Sequence, residues 1–546
     1  MLTPRLSSDL RAFAGLGLWG LVTSYYLTKP STPFKFNSLS WLCISWTAIA
    51  FMQWLAGISD GPFSMLLIQT SYLVAVVLMV HWVGMWLESG RGDELAELFM
   101  WTLTWAGLFC AFTVVLQMLD LQDLLAPWLQ KSPHYPRHSG MLSQPNLCAS
   151  LMSCALASLV FMDSDETGQA AKPTAWRLFA LVMLLLAIYG TGSRSGYLEV
   201  MALSVLFVVF RKRASISWVW CALALWQLVI FLLADLTSSV GYLAAQQTVD
   251  TLRGAENSGT SRLQILRDAW LIIQESPWLG VGWRHLQQAM VLNPQIDDDA
   301  DHAHNLFVQI QAELGVLGTL GLLVFIGYWL LRVKPWQQAR GYQLAMIGMV
   351  LVLSLHSMLE YPLWHALHLF IFTMAISLLP SRQWFFPWPR YLGPAMAGLL
   401  LVMVTWVYKD HENAIESYEN FMRYRSIEQL TSDSENQWWF KLVSQSILTY
   451  GQPITTANKA YIQKVALDNA NQYDQRKFAN IPLLKVMVLD GKTDVANRLA
   501  ARMCRNFGAK RIEVLEQQLR QTHEAPYLAW LDQLPDSIKH CETPNP

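Results

Sequence analysis

Long apolar runs alternate with short polar loops over most of this 546-residue chain. Runs of about 20 apolar residues are long enough to cross a bilayer as helices, and they recur from residue 10 to residue 408. The predicted spans lie near 10–28, 39–57, 63–87, 95–119, 145–162, 176–190, 195–210, 216–236, 306–331, 342–358, 362–379 and 391–408. The sequence therefore predicts an all-α, polytopic membrane protein with about 12 transmembrane helices.

The composition agrees with this class. Hydrophobic residues make up 53% of the chain and charged residues only 14%, whereas soluble domains carry nearer a quarter charged residues. The 25 tryptophans are typical of side chains at membrane–water interfaces. A net charge of −1 argues against a nucleic-acid partner.

The last part of the chain is of a different composition. It is polar and rich in Gln, Asn, Glu and Lys, with helical apolar spacing in Ala457–Leu467 and Ile481–Leu489. This pattern predicts a small domain of stacked helical pairs. We therefore predict a membrane domain over 1–408 and a C-terminal soluble helical domain over 409–546.

Short basic loops predict the orientation. The positive-inside rule places 211–213 and 332–340 in the cytoplasm. The large loop over 237–305 is then exported to the outer face. Counting helices outward places on the same face the segments 120–144, Ser193–Arg194, 357–362 and the C-terminal domain. The N-terminus also falls on that face, although Arg5 and Arg11 do not favour it.

The seven cysteines fall into two groups. Cys504 and Cys541 lie in the polar tail and could form a disulfide if the tail is extracytoplasmic. The other five are expected to be inert packing residues of the spans, and they are Cys43, Cys110, Cys148, Cys154 and Cys221.

The large loop is rich in arginine. It contains no lysine, and its arginines are Arg253, Arg262, Arg267 and Arg284. A guanidinium binds phosphate oxygens through two parallel hydrogen bonds, but it can equally contact lipid headgroups. The stretch Ser261–Ile273 is predicted to be an amphipathic helix on the membrane surface, capped by Thr260 or Ser261. Its expected apolar stripe consists of Leu263, Leu266, Trp270 and Ile273.

Another arginine interrupts two apolar spans. Arg194 lies between glycines in the segment 191–196, where the backbone can approach a ligand closely. A charge at this depth needs an anion or a carboxylate partner, or it extends to the interface. We favour a functional role for it.

Two histidines and a run of aspartates come directly before a long span. His302 and His304 are two residues apart, so they would share a face only in an extended segment. With the aspartates at 297–301 a divalent metal site is conceivable, but neither the HExxH nor a CxxC spacing is present. A histidine beside a carboxylate is equally suited to be a general base. Asn305 could orient the ring or bind a sugar hydroxyl.

Two further polar segments interrupt the apolar pattern. His356 and Glu360 are spaced to couple on one helix face, as a structural contact or as a functional one. Gln144 and Asn146 flank a proline at a helix start, where they could bind sugar hydroxyls or cap the helix.

Together and in this order, these elements resemble the O-antigen ligase superfamily of bacterial envelope proteins, and most closely its PglL-type branch, the protein O-oligosaccharyltransferases. The resemblance covers roughly 120–380. It is carried by SQPN (143–146), GSRSG (192–196), SRLQILRDAWLIIQESPWLGVGW (261–283), DHAHNLFVQIQAELGVLG (301–318) and HSMLEYPLWHALHLF (356–370). The last segment and the QPN element point to the protein-glycosylating branch.

The resemblance implies a function in the bacterial inner membrane. It implies transfer of a glycan en bloc from undecaprenyl pyrophosphate to a serine or threonine of a periplasmic or pilin protein, without a metal or another cofactor. The essential arginines and histidine of the family map onto Arg194, Arg262 and His304. The aspartate run is not a feature of the family.

The chemistry then predicts roles for the residues. Arg194 and Arg262 would stabilise the charge that develops on the pyrophosphate, in an inverting displacement. His304 would take the proton of the acceptor hydroxyl, and Glu360 would orient His304 or replace it as base. The predicted substrate-binding residues are Gln144, Asn146, Arg284, Asn305, His356 and Tyr361.

Two other functions compete with this interpretation. The same fold could transfer the glycan to the lipid A core or polymerise O-antigen repeats. A transporter of polyprenyl-linked glycans would line a path through the bilayer from both faces. Here the polar residues gather on one face and in one loop, which favours an enzyme over a transporter and over a structural scaffold.

Overall fold

The apolar runs form helices. The computed structural model describes residues 4–27, 33–59, 61–132, 137–162, 174–212, 217, 262–293, 295–296, 300, 302–338, 340–386, 391–424, 432–451, 454, 458–470, 476–507 and 509–539. The helices of the membrane part are α1 (Pro4–Leu27), α2 (Ser38–Leu55), α3 (Phe63–Glu88), α4 (Gly92–Met118), α5 (Pro145–Phe161), α6 (Ala175–Gly190), α7 (Arg194–Phe210), α8 (262–275), α9 (Leu286–Leu292), α10 (Leu306–Val333), α11 (Gly341–Ser357), α12 (Ala366–Leu378) and α13 (Leu392–Tyr424). Single 3-10 turns cover Gln122–Leu125, Gly140–Leu142, Pro335–Gln337 and Pro362–Trp364.

Many of these helices suit a bilayer. Within the described ranges, five are long and apolar enough to cross a membrane, and they are Ser38–Leu55, Phe63–Glu88, Gly92–Met118, Leu306–Gln337 and Leu392–Ser417. Shorter apolar helices cover Pro145–Phe161, Ala175–Gly190, Gly341–Ser357 and Ala366–Leu378. The prediction of an all-α polytopic membrane protein is confirmed. The count of about 12 spans stays a prediction, and the span at 216–236 lies outside the described residues.

Helix α5 lies at the centre of the membrane bundle. It packs against α4, α6, α7 and α11, and every one of its residues except Asn146 is buried. Small side chains allow this close packing, because a side chain on Gly107 would overlap Ala155 and one on Gly196 would overlap Ala149. Asn146 is thus a partly exposed polar residue in the first turn of a buried helix.

The two faces of the bundle differ. On one face β1 (Phe34–Phe36) pairs antiparallel with β2 (Trp384–Phe386), and the buried Lys35 forms an ion pair with Glu88 at 2.6 Å. On the other face Oδ1 of Asp9 accepts a hydrogen bond from the backbone N–H of Ala366 at 2.9 Å. The start of α1 therefore lies on the same face as the segment 357–365, as counting the helices predicts.

Helix α10 is broken where the sequence predicts one continuous span. Gly315 has φ 65° and ψ −163°, which no helical residue adopts. The loop after α8 pairs with the break, because Val316 donates to Pro277 O at 3.0 Å and Val281 donates to Ala312 O at 2.9 Å. The side-chain amide of Gln53 donates to Leu279 O at 2.5 Å. Broken backbone is tolerated at membrane depth when protein groups satisfy it, so this contact fixes the large loop to the bundle.

Helix α8 confirms the predicted helix but not the whole of its predicted stripe. Leu263 and Trp270 are exposed, whereas Ile273 is buried with Ile265 and Ile272 against α9 and the start of α10. The helix therefore has two apolar faces. One packs on the protein, and the other, with Leu263 and Trp270, is exposed.

The tail is helical, as predicted. Its helices are α14 (432–435), α15 (Lys441–Gly451), α16 (Lys459–Ala470), α17 (Arg476–Leu489), α18 (Thr493–Phe507), α19 (Ala509–Thr522), α20 (Ala525–Gln533) and α21 (Asp536–Lys539). From α15 to α20 each helix packs on the next, and Val291 of α9 joins their core. Helix α13 runs without a break through residue 408, so the predicted domain boundary lies inside a helix.

Candidate active site

Five separate segments meet on one face of the bundle. They come from the loop before α5, the α6–α7 turn, the start of α8, the segment before α10 and the loop between α11 and α12. Two of the non-glycine residues with positive φ, Ser143 and His304, lie in these segments. Backbone strain of this kind collects at functional sites.

The carboxylate of Glu360 lies at the centre of this site. Its Oε1 lies 2.9 Å from Nη2 of Arg262 and accepts a hydrogen bond from Nδ2 of Asn146 at 3.3 Å. Its Oε2 lies 3.4 Å from Nδ1 of His304 and 3.7 Å from Nε2 of His302. The side chain is only 11% exposed. The contacts of Glu360 join residues up to 214 positions apart in the sequence. They bring several of the predicted site residues together.

These contacts determine the charge of Glu360. Burial alone would raise the pKa of its carboxyl, but the nearby imidazoles of His302 and His304 and their positive charge outweigh burial and lower the pKa well below its ordinary value. The side chain is therefore an anion at neutral pH, able to hold a cation or to orient an imidazole.

The two histidines occupy a short non-helical segment. Their ring centroids are 4.0 Å apart, and the ring of His302 lies 3.7 Å from that of Tyr361. His304 has φ 51°, and its Nδ1 lies 3.3 Å from Leu359 O. Because Nδ1 of His304 faces a carbonyl and a carboxylate, it carries the proton when the ring is neutral, and Nε2 is then the basic nitrogen. His302 was not among the residues we predicted for the site, although its spacing from His304 suits the extended segment found here.

Two more arginines, Arg194 and Arg137, lie near the pair formed by Arg262 and Glu360. Arg194 is the first residue of α7, where Ser193 caps the helix by accepting from Gly196 N–H. Burial lowers the pKa of the Arg194 guanidinium, and the nearby positive charge of Arg262 lowers it further. The third is Arg137, whose charge interacts with those of Glu360, Arg194 and Arg262. Arg137 is a site residue that the sequence did not reveal. The only available signal was a cation in the predicted outer loop 120–144, seven residues before Gln144.

Asn146 links these groups. Its Oδ1 accepts from Nη2 of Arg137 at 2.6 Å and from Oγ of Ser193 at 2.9 Å, and its Nδ2 donates to Glu360. These three contacts of one amide connect three separate segments. The predicted binding residue is a hub of the site.

Other predicted binding residues have local structural partners. Oε1 of Gln144 accepts from Leu147 N–H at 2.6 Å and caps α5. Oδ1 of Asn305 accepts from Phe307 and Val308 N–H and caps α10. Capping was an open alternative for Gln144, and the structure has that contact for both residues.

His356 lies beneath the site rather than on its surface. It is fully buried, its Nδ1 bonds to Oγ of Ser150, and it lies 3.4 Å from Oε1 of Glu199, which is also fully buried. Ser150 donates to Glu199 at 2.6 Å. Since the backbone carbonyl of His356 accepts from Glu360 N–H at 2.8 Å, this cluster anchors the loop that carries Glu360.

His302, His304 and Glu360 could also hold a cation. One ligand atom from each lies within 4.8 Å of the others. The same carboxylate already pairs with Arg262, and a guanidinium beside an ion site opposes binding of a metal. The aspartates at 297–299 and 301, and Arg253, lie outside the described residues.

A large cavity extends from the site into the bundle. Its volume is about 1340 Å³, above the usual range for pockets of small ligands. His302, Tyr361 and Arg284 line its polar end, and apolar side chains such as Phe325 and Trp329 line its depth. The guanidinium of Arg284 lies 6.0 Å from the ring of Trp364. An elongated apolar ligand with a charged head matches this shape.

Comparison with known proteins identifies the family. Residues 179–323 match the family described as O-Antigen ligase, and residues 344–521 match the family described as virulence factor membrane-bound polymerase, C-terminal. These two matches support the predicted place of the chain in the O-antigen ligase superfamily. The chain is 21% identical over 493 residues to a general O-oligosaccharyltransferase of Acinetobacter baylyi. The aligned region covers 83% of this chain and 81% of that protein. The predicted resemblance to a PglL-type member of the superfamily is thereby borne out, and the comparisons support glycan transfer in general.

Proposed function

We propose that this superfamily member is a protein O-oligosaccharyltransferase. It transfers a glycan en bloc from undecaprenyl pyrophosphate to a serine or threonine of a periplasmic or pilin protein. One observation carries the proposal. The carboxylate of Glu360 contacts Arg262, His302 and His304, with Arg137 and Arg194 nearby, and His302 also lines a large, mostly apolar cavity. This arrangement suits a donor with an anionic head and an isoprenoid tail.

The reaction is a single displacement. The acceptor oxygen forms a bond to the anomeric carbon while the bond from that carbon to the pyrophosphate oxygen breaks, and its electron pair stays on the pyrophosphate. Fixed guanidinium groups of Arg194 and Arg262 stabilise that developing charge more than they stabilise the ground state. Direct displacement inverts the anomeric centre.

The acceptor proton goes to His304. Its Nδ1 faces Leu359 O and the Glu360 carboxylate, which leaves Nε2 as the base. A positioned base contributes about 10²–10⁴-fold to a rate. Glu360 acts here as the group that orients the ring and balances the imidazolium that forms, as the carboxylate does in a Ser-His-Asp triad.

Two features favour the periplasm for this chemistry. Cys504 is disulfide-bonded, and disulfides persist in oxidising compartments rather than in the cytosol. Its Sγ lies 3.4 Å from Ile538 O, close in sequence to Cys541, which lies outside the described residues. The tail packs on the same face as the site, through Val291 and through Met65. We assign this face to the periplasm and the tail to reception of the protein acceptor.

The test is transfer in vitro with purified protein, undecaprenyl-pyrophosphate-linked glycan and a periplasmic pilin-like acceptor. Native protein should glycosylate the acceptor with and without a chelator, and His304→Ala should lower the rate at least about 10²-fold. Activity that survives His304→Ala would move the base role to Glu360. Activity that stops with the chelator alone would assign a metal to the histidine–carboxylate cluster.

The nearest competing functions use the same site with another acceptor. Lipid A core and O-antigen repeats are therefore offered in parallel reactions. Transfer to either of them and not to protein would replace the proposed acceptor, while the roles of the arginines would stand. The relative from Acinetobacter baylyi, matched over most of its length, favours protein.

A further inference from the structure

Two buried cysteines meet where α4 packs against α5. Sγ of Cys110 lies 2.7 Å from Sγ of Cys148, across 38 residues of sequence, and both are free thiols. Cys110 is 4% exposed and Cys148 is fully buried. The sequence predicts that both are inert packing residues. Packing accounts for their burial, but it gives no reason for the two sulfur atoms to face each other.

The two helices approach each other closely beside this pair. Gly107 lies one turn before Cys110, and a Cβ on it would lie 2.2 Å from Cβ of Ala155. Positions 107 and 110 share one face of α4, and positions 148 and 155 share one face of α5. A disulfide requires such close backbones, with Cα atoms usually about 4.4–6.8 Å apart. Since an S–S bond is about 2.05 Å long, a movement of less than about 1 Å brings the two sulfur atoms to bonding distance.

The pair lies beside the candidate site. Cys148 is in the first turn of α5, where its backbone N–H donates to Gln144 O at 3.1 Å, and Asn146 of the same turn contacts Glu360. The loop before α5 also covers the other cysteine, because a Cβ on Gly140 would lie 3.3 Å from Cys110 O. Both thiols are therefore near the face that we assign to the periplasm.

We propose that Cys110 and Cys148 form a disulfide in the exported protein, which fixes the first turn of α5 to α4. This inference rests on the periplasmic face of the proposed function. Each thiol loses a proton, and the pair gives up two electrons through thiol–disulfide exchange, with a mixed disulfide as the intermediate. The oxidant is a protein disulfide of the periplasm, which is reduced to two thiols. Because both cysteines are buried in the folded bundle, the exchange takes place before α4 and α5 pack.

The bond acts on the unfolded chain as well as on the helix pair. It closes a loop between positions 110 and 148, and such a closure removes conformational entropy from the unfolded state. In the folded protein it restrains the turn that holds Asn146, the residue that links Arg137, Ser193 and Glu360.

The experiment maps the thiols of the full-length protein. It is produced in bacteria with an oxidising periplasm, and the cells are quenched with acid before lysis so that thiols cannot oxidise later. The protein is denatured, alkylated with N-ethylmaleimide, digested, and analysed by mass spectrometry with and without reduction. Cys504, which is disulfide-bonded, reports on the compartment. Cys43 and Cys154, which are buried and free, are the matched controls.

The expected result is a linked pair of peptides that contain Cys110 and Cys148, lighter by two hydrogen atoms than the two dithiol peptides together. Neither cysteine should be alkylated before reduction, whereas Cys43 and Cys154 should be. In a host that lacks its periplasmic protein-disulfide oxidant, Cys110 and Cys148 should both be alkylated.

Thermal denaturation in detergent tests what the bond does. Cys110→Ser and Cys148→Ser should each lower the Tm by several degrees, because each removes the same cross-link. The double variant should lose little more than either single one, since one bond is lost in all three. Cys154→Ser, at a fully buried position of the same helix, should lower the Tm by less. Single losses that add in the double variant would contradict the restraint of α5.

The thiol map separates the possible failures. If Cys110 and Cys148 are alkylated before reduction while Cys504 is not, the inference is overturned and the periplasmic face stands. If all three are alkylated, the assignment of the face fails as well. A linked pair in protein that transfers no glycan would overturn the proposed function and leave the bond. The map of the native protein needs no variant, so it decides even where a serine variant does not fold.

Discussion

Nη2 of Arg262 lies 2.9 Å from Oε1 of Glu360, across 98 residues of sequence. The pair joins the large loop to the connection between α11 and α12. Arg262 is 38% exposed and Glu360 11% exposed, so the arginine can turn toward a ligand while the carboxylate stays within the protein. The pair therefore joins two segments of the site and positions the Arg262 guanidinium for the proposed donor.

The first prediction concerns the coupling of this pair. Arg262→Gln and Glu360→Gln should each lower the transfer rate by about 10²-fold or more, because each removes a charge that acts in the transition state. The double variant should lose less than the product of the two single losses, since the groups act as a unit. Initial rates for the four proteins measure this. Strictly multiplicative losses would show that the pair is not coupled in the reaction.

The second prediction concerns stability against pH. The pKa of Glu360 is lowered in the folded protein, so the ionised carboxylate stabilises the fold above its unfolded pKa of about 4.3. That stabilisation is lost as the pH falls from there through the folded pKa. Glu360→Gln should lower the Tm at neutral pH, and the difference from the native protein should shrink on acidification below about pH 4. Thermal denaturation over a pH series measures it, and a difference independent of pH would contradict it.

The third prediction concerns the break in α10. A side chain on Gly315 would overlap Trp278 O, and φ there is 65°. Gly315→Ala should therefore destabilise the protein by about 1–3 kcal/mol or more, seen as a lower Tm in detergent. Gly327→Ala is the matched control on the same helix, because nothing lies within 4 Å of a Cβ there. Equal effects of the two substitutions would show that the break is not needed.

The fourth prediction separates anchoring from substrate contact. His356 is fully buried with Ser150 and Glu199, so His356→Ala removes one member of a buried polar network. It should lower the Tm by several degrees, in line with the cost of breaking a buried polar network, and reduce the maximal rate through the displaced Glu360. The KM for the acceptor should change little. A raised KM with an unchanged Tm would instead restore the predicted contact of His356 with substrate.

The sequence predicted much of the site because its residues are chemically out of place. Arg194, His304 and Glu360 interrupt apolar runs. An ionisable side chain in such a position costs free energy, so its presence points to a function. A charged residue within a polar loop does not interrupt an apolar run, so the sequence gives no sign of its role. Arg137 lies in a polar loop, and only the folded chain shows that this loop passes beside α7.

The details of packing were the least predictable. The apolar run through Gly315 reads as a continuous helix, and the break depends on a loop that pairs with it from about 35 residues earlier in the sequence. The stripe of α8 was assigned to one face, but Ile265 and Ile272 are buried on another. Hydrophobic periodicity identifies a helix, whereas the neighbour that covers each face is a property of the whole fold.

Met65 lies on two boundaries of the protein. Its side chain is part of the wall of the long cavity, and it also packs against Leu442 and Val465 of the tail. The flexible side chain of Met65 thus separates the cavity proposed for the isoprenoid from the tail proposed to receive the protein acceptor. A movement of this side chain when the cavity fills would change the surface on which the tail packs. The proposed lipid donor and protein acceptor would therefore act on the same residue from opposite sides.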